Sequence, residues 1–206
     1  MRIALFGDIH ANLEALEAVL QDASEQGVTD YVCMGDIVGY NADPSDCLEI
    51  VRAMDAPTVK GNHDNDAAGS HSLQRLRMVR QVSNFTVVHS TLDQPANWNY
   101  VTNRFDAMAN FSFQFTPLCF HGHTHVPRVY VKKDKIEELA PESIIIDPNA
   151  KYFVNVGSVG QPRDGDWRAC YAIYDFTHSM LVFRRIEYDI KKTQAKIIAA
   201  GLPKML

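Results

Sequence analysis

Apolar positions along the chain recur with two periods, and the change from one to the other marks out the elements. Residues 2–6 form a short apolar run ending in Gly7-Asp8, the pattern of a buried strand entering a loop. Asn12 then stands before Leu13, Leu16, Val19, Leu20 and Ala23, an apolar stripe at helical spacing, and Gly27 supplies a left-handed stop. Residues 31–34 predict a second strand, ending at Gly35-Asp36. Asp43-Pro44 opens a second helix that turns Cys47, Leu48, Val51 and Met54 inward. A third strand over 58–60 ends at Gly61-Asn62-His63. This alternation predicts βαβ units and a parallel sheet.

Beyond this point the helical period fades. Strands are predicted over 85–89, 117–120, 128–131, 143–146, 152–156, 169–174 and 180–186, and residues 189–200 read as a closing amphipathic helix. No repeat, low-complexity tract or linker divides the chain, so one domain over residues 1–206 is expected.

Composition narrows the class. Hydrophobic residues make up 46% of the 206, enough for a packed core. No apolar run approaches the roughly 18 residues of a membrane span. The opening MRIALFGDIH enters a strand at once and lacks the order of a signal peptide. Cys33, Cys47, Cys119 and Cys170 form no CxxC pair, which points to reduced thiols in a cytoplasmic protein and away from a zinc–thiolate site. The formal net charge of -5 and small, scattered basic clusters disfavour nucleic acid as a partner. Self-association is left open.

The chemistry sits at the predicted strand ends: Asp8-Ile9-His10, Gly35-Asp36, Gly61-Asn62-His63-Asp64, Val88-His89-Ser90 and Gly122-His123-Thr124-His125. In open α/β sheets, ligands bind beyond the carboxyl ends of strands. In extended chain, residues two apart point the same way, so Asp8 with His10, and His123 with His125, are expected to face one site. Imidazole, carboxylate and amide oxygen without thiolate select Mn, Fe, Ni, Co or Zn, with manganese favoured here, over magnesium or calcium. The candidate ligands Asp8, His10, Asp36, Asn62, His89, His123 and His125 are too many for one ion with an open position. They suit two divalent ions about 3.5–4 Å apart. Asp36 is the natural bridge, because a carboxylate offers two oxygens. Two such ions, two carboxylates and a bridging hydroxide leave a formal charge of about +1, which attracts a phosphate ester and favours in-line attack by that hydroxide. His63, beside Asn62 but pointing differently, is the candidate to protonate a leaving group or bind the developing oxyanion.

These five motifs, in this order, resemble the calcineurin-like metallophosphoesterases, and their small bacterial and archaeal phosphodiesterase branch most closely. Residues 35–40, 120–127 and 155–163 look like further blocks of that branch, so the resemblance spans nearly the whole chain. It implies a four-layer α/β/β/α sandwich of two mixed β-sheets flanked by helices. It implies one ion on Asp8, His10, Asp36 and His125, another on Asp36, Asn62, His89 and His123, and His63 assisting the leaving group. The chain departs from the family's pattern between Asp64 and Val88, where members usually carry a longer, mostly helical stretch flanking the site.

Other residues have plainer readings. His71, His121 and His178 match no motif position and read as surface or satisfied core. Gly157-Ser158-Val159-Gly160 is either a phosphate cradle or a turn between strands. Arg163 is a candidate substrate-binding residue, or else a salt-bridge partner of Asp164 or Asp166. Phe105, Phe111, Phe113 and Phe115 read as core or interface, and Trp98 and Tyr100 receive no assignment. The expected activity is that of a phosphodiesterase or broad phosphoesterase acting on a small-molecule phosphate ester. Hydrolysis of a dinucleoside polyphosphate or other nucleotide is the alternative, and a non-catalytic scaffold is disfavoured because no motif position is lost.

Overall fold

Strand β1 (Arg2–Phe6) shows how the layers arise: Ile3 and Leu5 enter one hydrophobic cluster, while Ala4 and Phe6 enter another on the opposite face. The same alternation recurs in β9 (Lys151–Asn155), where Tyr152 and Val154 face one way and Phe153 the other. The computed structural model describes residues 1–67 and 70–203. One sheet has the order β2-β1-β10-β11-β8, with β2 spanning Asp30–Cys33, β8 Ser143–Ile145, β10 Ala169–Asp175 and β11 Met180–Ile186. The second has the order β3-β4-β5-β9-β6-β7, with β3 spanning Val79–Val82, β4 Phe85–Val88, β5 Leu118–His121, β6 Arg128–Lys132 and β7 Ile136–Leu139.

Three apolar clusters separate four layers. The central one joins Ile3, Leu5 and Tyr174 of the first sheet to Phe85, Phe120 and Val154 of the second. The first sheet's outer face packs on helices α1 (Leu13–Glu25) and α2 (Pro44–Ala53). The second sheet's outer face packs, through Cys119, Tyr130 and Phe153, on Ala107 and Phe111 of helix α5 (Arg104–Phe113). Two short helices, α3 (Asn62–Asp66) and α4 (His71–Gln74), follow the third candidate motif, and α6 (Ile190–Ala199) closes against α1.

The architecture is the α/β sandwich of two mixed sheets expected from the family resemblance. The parallel pairing expected from the βαβ rhythm holds for β1 with β2 and for the bridge from Cys33 to Thr58, and antiparallel strands complete both sheets. Among the named strands of the described residues, β1–β2, β4–β5 and β5–β9 pair in parallel, and β10 joins β1 antiparallel. The third expected strand reduces to isolated bridges from Thr58 to Cys33 and from Val59 to Arg77. Local signals did position the helices: Asn12 accepts from the Ala15 amide at 3.2 Å to start α1, and Gly27 beyond its end lies at φ +69. No helix among the described residues is long and apolar enough to cross a membrane.

Candidate metal centre

Four of the five candidate motifs follow β1, β2, β4 and β5, at the carboxyl ends of strands that run in parallel within each sheet, and Gly61-Asn62-His63-Asp64 follows the bridge residues Thr58 and Val59. Asp8, His10, Asp36 and His125 each offer a ligand atom within 4.8 Å of the others, and Asp36, His89 and His123 form a second such group. All six side chains are buried, and Asp36 belongs to both groups. Its Oδ2 lies 3.6 Å from His10 Nε2 and 3.4 Å from His89 Nε2. Asp8 Oδ1 is 3.2 Å from His125 Nε2.

Convergence does not come from extended chain. Asp8, His10, Asp36, His123 and His125 all have φ between +48 and +70, in the left-handed region that non-glycine residues seldom adopt. The loops are therefore tight turns, and hydrogen bonds between them hold the strain. The amides of Asp8, His10 and Ala11 donate, each at 2.9 Å, to the carbonyls of Gly35, Asp36 and Ile37. Both Asp8 oxygens accept from the His123 amide, which ties the first sheet's loop to the second's.

Every histidine in the two groups is oriented in the same manner. One ring nitrogen faces a backbone carbonyl: His10 Nδ1 at Val38 (3.2 Å), His89 Nδ1 at Met34 (2.8 Å), His123 Nε2 at Trp98 (2.7 Å) and His125 Nδ1 at Gln161 (2.7 Å). A carbonyl only accepts, so that nitrogen carries the proton and the other presents a lone pair to the interior. The inward nitrogens then face each other, His10 to His125 at 3.0 Å and His89 to His123 at 3.2 Å. Between His10 and His125 two lone pairs at that separation repel unless a cation lies among them, whereas in metal-free protein a proton on His89 Nε2 is donated to His123 Nδ1. Asn62 supports the same fit. It sits between Gly61 and His63, both against Asp36, and its Oδ1 is buried without a hydrogen-bond partner among the described residues.

The charge pattern follows from burial and proximity. Burial pushes His10 down to about 3 and, with the neighbouring His89, His123 down to about 4. His89 goes the other way: burial opposes its charge, but the carboxylates of Asp36 and Asp8 prevail and raise it to about 10. Burial would raise Asp8 and Asp36 as well, yet the surrounding imidazoles hold both below the usual carboxylate range.

His63 stands at the edge of this cluster, its ring 4.9 Å from His10 and 4.5 Å from Tyr40, centroid to centroid. The structure does not pair Arg163 with either neighbouring aspartate. Asp164 pairs with Arg185 and Asp166 with Arg168, while the exposed Arg163 guanidinium lies 5.8 Å above the Tyr40 ring and bonds Gln161 Oε1 at 2.7 Å. On the other side, Trp98 and Tyr100 pack on His89 and His123.

Several supporting residues carried no role in the sequence. Asp64, fully buried, accepts from the amides of Asp36 (2.7 Å), Ile37 (2.9 Å) and Gly61 (3.1 Å), and so locks two of the loops together. Burial and the Asp36 charge push it up to about 6, against the pull of those amides. Asn155 donates to Gly122 O and Thr124 Oγ1 and thereby shapes the loop bearing His123 and His125. The 157–160 loop is structural: Ser158 Oγ donates to Asp8 O at 2.8 Å, the amides of Val159 and Gly160 go to Gly7 and Asp8 carbonyls, and a Cβ at Gly160 would run into the Ile9 carbonyl. The short polar spacing of Gly61-Asn62-His63-Asp64 was the one signal that could have singled out Asp64. His178 is exposed and pairs with Asp175, and His71 is exposed. His121 departs from the satisfied-core reading: it is buried against Phe153, and its Nε2 has no partner among the described residues.

Comparison with known proteins agrees with this geometry. The model of the calcineurin-like phosphoesterase superfamily domain matches residues 1–179. The uncharacterized protein MJ0912 of Methanocaldococcus jannaschii is 35% identical over 235 aligned positions, covering 99% of this chain and 95% of that one. Among solved structures, a metallophosphoesterase from Sphaerobacter thermophilus is 37% identical, with a TM-score of 0.90 over 100% of this chain and 96% of that chain. Hypothetical protein PH1004 from Pyrococcus horikoshii shares the fold at 17% identity, with a TM-score of 0.78 over 99% of this chain and 95% of that chain. The chain belongs to the calcineurin-like phosphoesterases, the metal-dependent hydrolases of phosphoric esters.

Proposed function

We propose that this protein is a dinuclear-metal phosphodiesterase acting on a small phosphate ester, with residues 1–206 working as one unit. The observation that carries this reading is the pair of donor groups sharing Asp36, with the inward imidazole nitrogens of His10 and His125 3.0 Å apart and those of His89 and His123 3.2 Å apart. In this reading Asp8, His10, Asp36 and His125 hold one divalent ion, and Asp36, Asn62, His89 and His123 hold the other. The donor set, nitrogen and oxygen without sulfur, suits Mn, Fe, Co, Ni or Zn, and manganese is the first ion to load. Bound there, two divalent ions supply Lewis-acid polarisation of the phosphoryl oxygens and a water acidic enough to act as nucleophile at neutral pH.

The remaining work falls to the chain. The backbone carbonyls of Val38, Met34, Trp98 and Gln161 hold one nitrogen of each imidazole and so turn the other toward the interior. His63, packed between His10 and Tyr40, holds the proton that the leaving oxygen takes up as the phosphorus–oxygen bond breaks. Arg163 meets the anionic ester at the rim. A scaffold role is disfavoured because the assisting histidine is retained along with all seven donors. The four cysteines are all buried free thiols, which fits a reducing cytoplasm.

Metal analysis coupled to hydrolysis of bis(p-nitrophenyl) phosphate tests the proposal. Two equivalents of metal and manganese-dependent release of nitrophenol are expected. Metal-replete protein with no turnover on any ester of a phosphomono- and diester panel would overturn it.

A further inference from the structure

The segment between β4 and α5 comes down on the second donor group at one place. His123 Nε2 donates to the Trp98 carbonyl at 2.7 Å, and Trp98, at φ 54, turns the chain there. Two residues on, the Tyr100 ring stacks on the His123 imidazole with centroids 4.3 Å apart and planes 22° from parallel. Val101, next in the chain, is buried against α5. Tyr100 is thus held by its neighbours on both sides, yet it remains 54% exposed. An exposed aromatic alone means little. This one presents one face to a histidine of the site and leaves the other open beside it.

The opposite rim differs in chemistry. Tyr40 packs on His10, in the first donor group, and carries the Arg163 guanidinium above it. An ester lying at the shared Asp36 therefore meets a cation on one side and a bare π-face on the other.

We propose that Tyr100 is a specificity-determining residue: it stacks a flat aromatic group, aryl or nucleobase, carried by the phosphate ester. The inference rests on the phosphoesterase reading above. Stacking is tolerant of the ring's identity, and removal of one aromatic partner changes affinity by about fivefold at the lower end of its range and by about a hundredfold or more at the upper.

The test holds the leaving group constant. Bis(p-nitrophenyl) phosphate and methyl p-nitrophenyl phosphate both release nitrophenol but differ in the group that stays. Tyr100→Leu is expected to lower the ratio of kcat/KM for the diaryl over the methyl ester about tenfold, whatever its effect on either rate, and Tyr100→Trp to preserve the ratio. Thymidine 5′-(p-nitrophenyl phosphate) separates the sources: a Tyr100-dependent preference identifies a nucleobase partner, and a methyl-like response restricts the platform to simple aryl groups. Calorimetry gives a readout without turnover. Wild-type protein should bind phenylphosphonate more tightly than methylphosphonate, and Tyr100→Leu should erase the difference. If the leucine variant changes both esters by one factor and leaves the phosphonate preference intact, Tyr100 merely covers His123 and the proposal fails. If wild-type protein hydrolyses no ester but its phosphonate preference depends on Tyr100, the phosphoesterase reading fails and the platform stands.

Discussion

His63 differs from the histidines around it in what its ring touches. Each of the other four has a nitrogen fixed on a backbone carbonyl, whereas His63 packs on His10 and Tyr40 and makes no ring hydrogen bond among the described residues. In the proposed reaction a group so placed would move a proton. His63→Gln should lower kcat by about 10²–10³-fold for alkyl esters, and far less for nitrophenyl esters, whose leaving oxygen needs little proton assistance. Metal content should not change. An equal loss on both ester types, read by steady-state kinetics, would remove His63 from proton transfer. His89 supports a second prediction. With its pKa raised to about 10 by Asp36 and Asp8, it is protonated at pH 7 in metal-free protein, whereas His10 and His123 are already neutral. A metal ligand must be deprotonated, so metal binding at pH 7 should expel the His89 proton. The sign for stability follows. A folded pKa above the unfolded value of 6.5 favours the metal-free fold fully below about pH 6.5, and that contribution is lost as pH rises through about 10. Metal titrations in two buffers of different ionisation enthalpy should show close to one proton released, and zero release would contradict the charge pattern.

At the scale of elements, the parts that depend on local chemistry could be read directly. The apolar period placed β1, α1 and α2, and the short polar motifs marked four of the loops that build the site. Elements at the margins could not be read so. Strands β3 and β7 are edge strands with mixed, half-exposed residues, and only Ala107, Asn110 and Phe111 of α5 are buried. Phe111 is core, whereas Phe105, Phe113 and Phe115 are exposed, so core placement holds for Phe111 alone. The left-handed turns at Asp8, His10, His123 and His125 were also illegible, since Asp and His adopt φ near +50 more often than most residues but still seldom. They exist because neighbouring loops hold them. Asp64 is the residue that does this most, and it went unassigned because its role is to accept amides rather than to touch a ligand. Asp64→Ala would leave the buried amides of Asp36, Ile37 and Gly61 unpaired, a loss of about 3 kcal/mol in urea unfolding together with metal content. Asp64→Asn, which keeps one acceptor oxygen, should cost about half as much. A stability unchanged in the alanine variant would mean that water can reach these amides and that the loops do not depend on the carboxylate.

Across the whole molecule, the donors come from both sheets. Asp8 and Asp36 follow β1 and β2 of the first, and His89, His123 and His125 follow β4 and β5 of the second. The C-terminal helix reinforces the first set from outside: Thr193 bonds Asn12 and Glu14, and Lys196 reaches Glu14 and Asp43, although α6 lies beyond the residues matched by the family model. Ions bound at the seam would therefore add to the loop hydrogen bonds and the apolar interface that already join the two sheets. Any ligand that binds only the folded state adds stability by mass action, about 4 kcal/mol when it is present at a thousand times its Kd. For a chain of this length that corresponds to a rise of about 10 °C in Tm. Chelation should lower the Tm of the manganese-loaded protein by about this much, reversibly. Asp36→Asn removes the charge common to both donor groups, so its Tm should respond to chelator only weakly. Should wild-type and Asp36→Asn protein shift equally with chelator, the stabilising ion sits elsewhere than at the shared aspartate.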